Sequence, residues 1–160
     1  DALNSFAIPN LCIKWPNDIM SGNRKIGGIL IENSLMGPKI QSAIIGVGLN
    51  VNQTEFVDLP NASSMKRCSG RNFEVNKVLE AVLRNLQKGF KTCEKEGPSA
   101  QWALYEAHLF GKDRENMFLI DGDQRVLGKI RGVSAEGKLQ ITLANGALRS
   151  FGLKEIKMLL

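Results

Sequence analysis

Near the start of this chain, groups able to handle charge stand close together: Lys14-Trp15-Pro16-Asn17-Asp18, then Asn23-Arg24-Lys25-Ile26-Gly27-Gly28. Pro16 presets a turn, Asn17 and Asp18 are good turn residues, and Arg24-Lys25 stands where the next apolar run begins. A carboxylate and two or three cations at the ends of adjacent strands could hold a polyphosphate and its metal. Asp18 would then serve a metal or a nucleophile, and Lys25 would face developing negative charge. The same residues also describe a polar hairpin, and spacing alone leaves both readings open. Glycines recur where a strand would not choose them, at Gly27-Gly28 and in Gly46-Val47-Gly48-Leu49-Asn50. Glycine weakens a strand unless a bulge, a ligand or another backbone needs the room. Two such strands side by side could leave a slot for a flat ligand with the Asn50 amide at one end; tight packing explains them equally well. Neither run is a Rossmann fingerprint or a Walker loop.

These residues need strands to position them. Residues 11–15, 26–32 and 40–52 are apolar, β-branched runs bounded by turn residues, and they predict consecutive antiparallel strands. The near-continuous apolarity of the last two predicts that both of their faces are covered, by helices lying over the sheet. The stretch from Gln53 to Asn72 is mostly polar and reads as loop, with Phe56, Val57 and Leu59 as its cluster of large apolar residues. From about Glu74, Val75, Val78, Leu79, Val82, Leu83, Leu86, Phe90 and Cys93 recur at helical intervals until Gly97-Pro98 ends the pattern. A second helix is predicted from Ser99 to about Leu109, with Trp102, Leu104, Tyr105 and Leu109 as core. Beyond it, five short runs separated by Asp121-Gly122-Asp123, Ala135-Glu136-Gly137 and Ala144-Asn145-Gly146 predict a small closed β-barrel of the SH3-like kind. The expected organisation is therefore α+β: a mixed or antiparallel sheet covered by helices over residues 1–110, then a small barrel over 111–160.

Composition narrows the function classes. With 43% apolar and 23% charged residues in 160, the chain can bury a core. No apolar run approaches the roughly 18 residues of a membrane span, and the start carries no secretory signal pattern. The net charge of +5 is spread along the chain and suits an anionic ligand without demanding one. Helix-turn-helix, zinc and aromatic-basic patterns are absent, so nucleic-acid binding through this chain is not expected. Cys12, Cys68 and Cys93 have no metal or disulfide spacing and read as reduced thiols, which points to the cytoplasm. His108, the single histidine, lies in a helix-like stretch and reads as a packed or surface residue rather than a catalytic base.

Taken in order, Lys14-Trp15-Pro16-Asn17-Asp18, residues 24–32 (Arg24-Lys25-Ile26-Gly27-Gly28 onward) and residues 45–52 (Ile45-Gly46-Val47-Gly48-Leu49-Asn50 onward) resemble the biotin protein ligases. The segment from Gly128 to Leu139 resembles that family's C-terminal SH3-like domain, so the likeness spans nearly the whole chain. The resemblance implies ATP-dependent formation of biotinyl-5′-AMP and transfer of biotin to a lysine of a biotin carboxyl carrier protein, as in biotin-[acetyl-CoA-carboxylase] ligases. Biotin and ATP would be substrates and Mg2+ the metal, with Asp18 as its ligand. By the same resemblance Lys25 and Asp18 are catalytic; Lys25, Gly27, Gly28 and Trp15 bind biotin; and Asn17, Asp18, Lys25, Gly46, Gly48 and Asn50 bind the nucleotide. A homodimer is compatible with it. The family's Gly-Arg-rich loop, and the residues that read the biotin ureido group, have no counterpart in this sequence. The chain is therefore expected to be a partial enzyme that has lost upstream sequence. Two other readings remain: a lipoate ligase-like acyl-adenylating enzyme, and a non-catalytic module that binds a carrier protein.

Overall fold

The computed structural model describes residues 1–159 and shows an α+β chain with two antiparallel sheets. A short 3-10 turn, Ala2–Phe6, precedes β1 (Leu11–Lys14), β2 (Asp18–Ser21), β3 (Arg24–Met36) and β4 (Lys39–Leu49), which form a sheet in the order β1-β2-β3-β4. Strand β2 falls inside what the sequence presented as two neighbouring turns. The long β3–β4 hairpin closes through Gly37-Pro38, and Gly37 takes φ 61°, a backbone region costly for any residue with a Cβ.

Helices α1 (Met65–Ser69), α2 (Val75–Glu96) and α3 (Ser99–Ala107) follow. Helix α1 corrects the expectation of a loop up to Asn72: Met65, Ser63 and Ser64 are buried, whereas Val57 and Leu59 are exposed. The structure also narrows the buried face expected of α2, since Val78 and Ala81 are buried while Val75, Leu79, Leu83 and Phe90 are exposed. In α3, Leu109 just past the helix end is buried as expected, while Leu104 is exposed and Trp102, 39% exposed, lies on the side of half-buried Tyr105 with the two ring centroids 6.1 Å apart. No described helix is long and apolar enough to cross a membrane.

The second sheet contains β5 (Glu115–Ile120), β6 (Gln124–Val133), β7 (Leu139–Leu143), β8 (Leu148–Phe151) and β9 (Ile156–Met158), in the order β8-β7-β6-β5-β9. Its hydrogen-bonded ladder is open, with β8 and β9 as its edges.

By compactness, Asp1–Cys12 and Asn17–Gly97 make one unit, while Ile13–Pro16 and the chain from Pro98 onward make the other. The first unit is built on Leu3, Ile8, Ile26, Met65 and Val78, with Ile19, Leu49 and Phe73 half-buried against them. The second has its own core of nine buried residues, Phe118, Ile141 and Phe151 among them. Each such side chain contributes about 1.5–3 kcal/mol on leaving water.

Among the described residues, no segment supplies the covering expected over both faces of β3 and β4. Beyond Ile29, β3 is exposed through Met36, and β4 is exposed over most of its length.

Candidate active site

Asp18 opens β2 opposite Gly28 of β3. After Ile19↔Gly27 the pairing steps to Met20↔Lys25, which leaves Ile26 as one extra residue on β3. In a regular strand Lys25 would share the face of Gly27 and Ile29, away from Asp18. The bulge re-aims it. As a result Lys25 Nζ lies 2.5 Å from Asp18 Oδ1, with 48% of the lysine side chain and 19% of the aspartate side chain exposed. An ion pair this open is worth at most about 1 kcal/mol of stability, so its interest lies in where it holds an ammonium group.

The main chain around the lysine is clamped from the loop before α1. Lys25 N–H donates to the Asn61 carbonyl at 2.8 Å, and Ser63 N–H donates to the Lys25 carbonyl at 2.8 Å. Asn50 ties the same loop to β3. Its N–H donates to the Ile26 carbonyl at 2.8 Å, its carbonyl accepts from Met65 N–H at 2.9 Å, and its side-chain amide donates to the Ser63 carbonyl at 2.9 Å. Ser64 then caps α1, its hydroxyl accepting from Arg67 N–H at 3.2 Å. Sequence reasoning missed this loop. The signal was present in Ser63-Ser64, a capping residue just before buried Met65.

Gly28 pairs with Gly48, and Leu30 with Gly46, so Gly28, Gly46 and Gly48 share the face of Asp18. Here side chains are missing rather than excluded. A Cβ on Gly28 would stand 3.7 Å from Asp18 Oδ1 and 3.8 Å from Lys25 Cε, and one on Gly48 would meet nothing nearer than 4.0 Å. The result is a strip of bare main chain beside the ion pair, on which a flat or extended ligand could lie. Gly27 faces the other way and has a different reason to be glycine, since a Cβ there would fall 2.5 Å from the Gly48 carbonyl oxygen.

The remaining expected site residues are placed as follows. Asn17 is exposed, and its carbonyl accepts from Ile29 N–H at 3.0 Å, which aligns the turn with β3. Arg24 donates to the Pro60 carbonyl instead of joining the ion pair. Trp15 belongs to the second unit, where its indole N–H donates to the Gly137 carbonyl at 2.9 Å and its ring packs on that unit's core. With Phe110, Leu139 and Ile156 it lines a cavity of about 520 Å³. His108 is exposed, and its Nδ1 lies 2.8 Å from the Leu104 carbonyl, a helix-end contact.

Among the described residues no group of three His, Cys, Asp or Glu side chains could hold a metal ion. Magnesium accompanying a nucleotide needs only one or two carboxylates beside phosphate and water oxygens. Asp18 fits that lesser role and does not amount to a protein cage.

The chain is similar to proteins of one kind. Residues 9–50 match the Biotin/lipoate A/B protein ligase family, a stretch that contains the ion pair, Gly27 and the three strip glycines. Bifunctional ligase/repressor BirA of Bacillus spizizenii is 31% identical over 139 residues, which is 84% of this chain and 42% of that protein. Biotin--[acetyl-CoA-carboxylase] ligase of Mycobacterium tuberculosis is 30% identical over 128 residues, 79% of this chain and 46% of that protein. The apo biotin protein ligase of Aquifex aeolicus has a TM-score of 0.78 at 25% identity, covering 98% of this chain and 68% of that one. The same ligase in complex with biotin and ATP gives 0.76 at 24% identity, covering 98% and 65%, a likeness of fold. The chain spans less than half the length of these two curated relatives.

Proposed function

We propose, from the premise that this chain belongs to the biotin/lipoate protein ligase family, that it carries the charge-stabilising part of a biotin protein ligase active site. The observation that carries the proposal is the Lys25–Asp18 ion pair at 2.5 Å beside the bare Gly28–Gly48 strip. In this reading residues 1–110 are part of the catalytic domain and residues 111–160 an SH3-like domain. Substrates are biotin and ATP, as in the relative solved with both. The acceptor is a lysine of a biotin carboxyl carrier protein, and the reaction takes place in the cytoplasm.

The biotin carboxylate attacks the α-phosphorus of ATP, the bond to pyrophosphate breaks, and biotinyl-5′-AMP forms. The carrier lysine amine then attacks the biotinyl carbonyl, and AMP leaves with the bonding pair. Lys25, aimed by the bulge and clamped at its main chain, places a positive charge where the phosphate oxygens and then the carbonyl oxygen gain negative charge. Asp18 orients that ammonium and can accept the proton released by the acceptor amine. Asp18 is the residue that would hold a Mg2+ ion, which when bound would neutralise charge on the phosphates. Gly28, Gly46 and Gly48 let the ligand lie against main chain, while Asn50 holds the loop that fixes Lys25.

The test is biotin-dependent exchange of pyrophosphate into ATP by the catalytic domain that contains this sequence. Lys25→Ala is expected to lower the rate by about a hundredfold or more with an unchanged unfolding midpoint. Full exchange activity without Lys25, or adenylation of lipoate in place of biotin, would overturn the assignment.

A further inference from the structure

The cavity lined by Trp15 lies wholly within the second unit, and its lining shares no residue with the ion pair or the glycine strip. Ile130, Leu139 and Ile156 line it and are also buried members of that unit's core, so the space reaches the core instead of skimming the surface. Half-buried Phe110, Leu119 and Met158 extend the apolar wall. The charged residues on the lining are all cations, half-buried Lys14 and exposed Lys154 and Lys157. Carboxylates close by in sequence do not join them there. Glu155 turns its side chain to the Gly152 N–H, 2.7 Å away, and Asp121 and Asp123, on either side of lining residue Gly122, are not part of the lining. At about 520 Å³ the space is of the size that holds small molecules, roughly 300–1,000 Å³.

We propose that this cavity binds an amphipathic anion, an unbranched aliphatic chain that ends in one carboxylate or phosphate. Charge complementarity selects that class. An apolar body gains by leaving water against Ile130, Leu139 and Ile156, whereas a polar body would give up its hydration against those side chains. The head group belongs beside the three ammonium groups, whose long stems let them follow it while staying in water. A cationic ligand would meet like charges, and a neutral one would leave the lysines without a role. The site stands apart from the ligase reading, since it uses neither Lys25, Asp18 nor the strip glycines.

The test titrates the full chain with hexanoate, octanoate, decanoate and octyl phosphate, each below its micellar concentration, with binding read by calorimetry and located by amide chemical shifts. Shifts are expected at Leu119, Leu139 and Ile156, and affinity should rise by up to about fourfold per added methylene. The tighter of octanoate and octyl phosphate identifies the head group. Lys154→Glu combined with Lys157→Glu should weaken octanoate at least about fivefold. Both lysines are exposed, so the unfolding midpoint of that variant should stay unchanged. Uncharged 1-octanol should bind more weakly than octanoate. Affinity that ignores chain length, equal binding of 1-octanol, full binding by the double variant, or shifts that gather on the β3–β4 hairpin instead would each overturn the proposal. So would biotin shifting the same amides as strongly as octanoate, which would make the cavity a substrate subsite. Because no readout uses ATP or pyrophosphate exchange, failure here leaves the ligase reading standing.

Discussion

The two adjacent glycines of β3 show how one residue type can answer two different demands. Gly27 has no room, so Gly27→Ala should overpack the strand pair and cost about 1–3 kcal/mol, read as a lower denaturant midpoint. Gly28→Ala meets only ordinary contacts, the nearest being the Asn17 carbonyl at 3.4 Å. It should leave stability within about 0.5 kcal/mol while weakening any ligand that lies on the strip. Equal losses of stability for both would refute the distinction. From sequence the pair was a single oddity, because a clash and an open space look the same in a string of letters. A second residue-scale expectation concerns Glu106. The Lys112 ammonium at 3.0 Å, helped by the Val133 N–H, holds its carboxyl below the ordinary 4.5 despite partial burial. A carboxylate with a depressed folded pKa adds stability that is complete above its unfolded value and is lost as pH falls through the folded one. Unfolding midpoints should therefore fall on acidification below pH 4.5, and Glu106→Gln should flatten that slope while lowering stability at neutral pH. An unchanged acid slope in Glu106→Gln would remove the carboxylate from this role.

At the level of elements, the decisive feature is a single extra residue. Ile26 is the bulge residue that turns Lys25 toward Asp18, and it is also fully buried in the first unit's core, so core packing and site geometry are coupled through one position. The strands were legible because alternation and turn residues act locally. The bulge was not, because it depends on the register β2 adopts against β3. Helix α1 was hidden for a related reason. Five residues cannot form a stable helix alone, and α1 persists through its Ser64 cap and the burial of Met65. Ser64→Ala should thus cost about 1 kcal/mol and loosen the loop that clamps Lys25. Hydrogen exchange at the amides of Ser63 and Met65 is the readout, and unchanged protection there would mean the cap does not secure the loop.

Across the whole molecule, two separate cores share one chain, and the boundary does not follow sequence order. Ile13–Pro16 belongs with the C-terminal unit, where Ile13 N–H donates to the His108 carbonyl and Phe110 N–H to the Ile13 carbonyl, both at 2.8 Å. Trp15→Phe should remove the hydrogen bond to Gly137 and destabilise that unit by about 1 kcal/mol, with the amide signals around Gly137 shifting. A midpoint equal to that of the unchanged chain would show that water replaces the indole. The amino-acid sequence by itself determined the α+β class, most strands and the long helix, because periodicity and turn chemistry act over a few residues, and it marked Asp18, Lys25, Gly28, Gly46 and Gly48 as candidates without deciding their role. Only the tertiary structure decided that Lys25 meets Asp18, that Gly27 faces away from them, that Trp15 serves the other unit and that one face of β3–β4 stays bare. Each of these depends on register or on a partner distant along the chain, and local pattern carries no information about either.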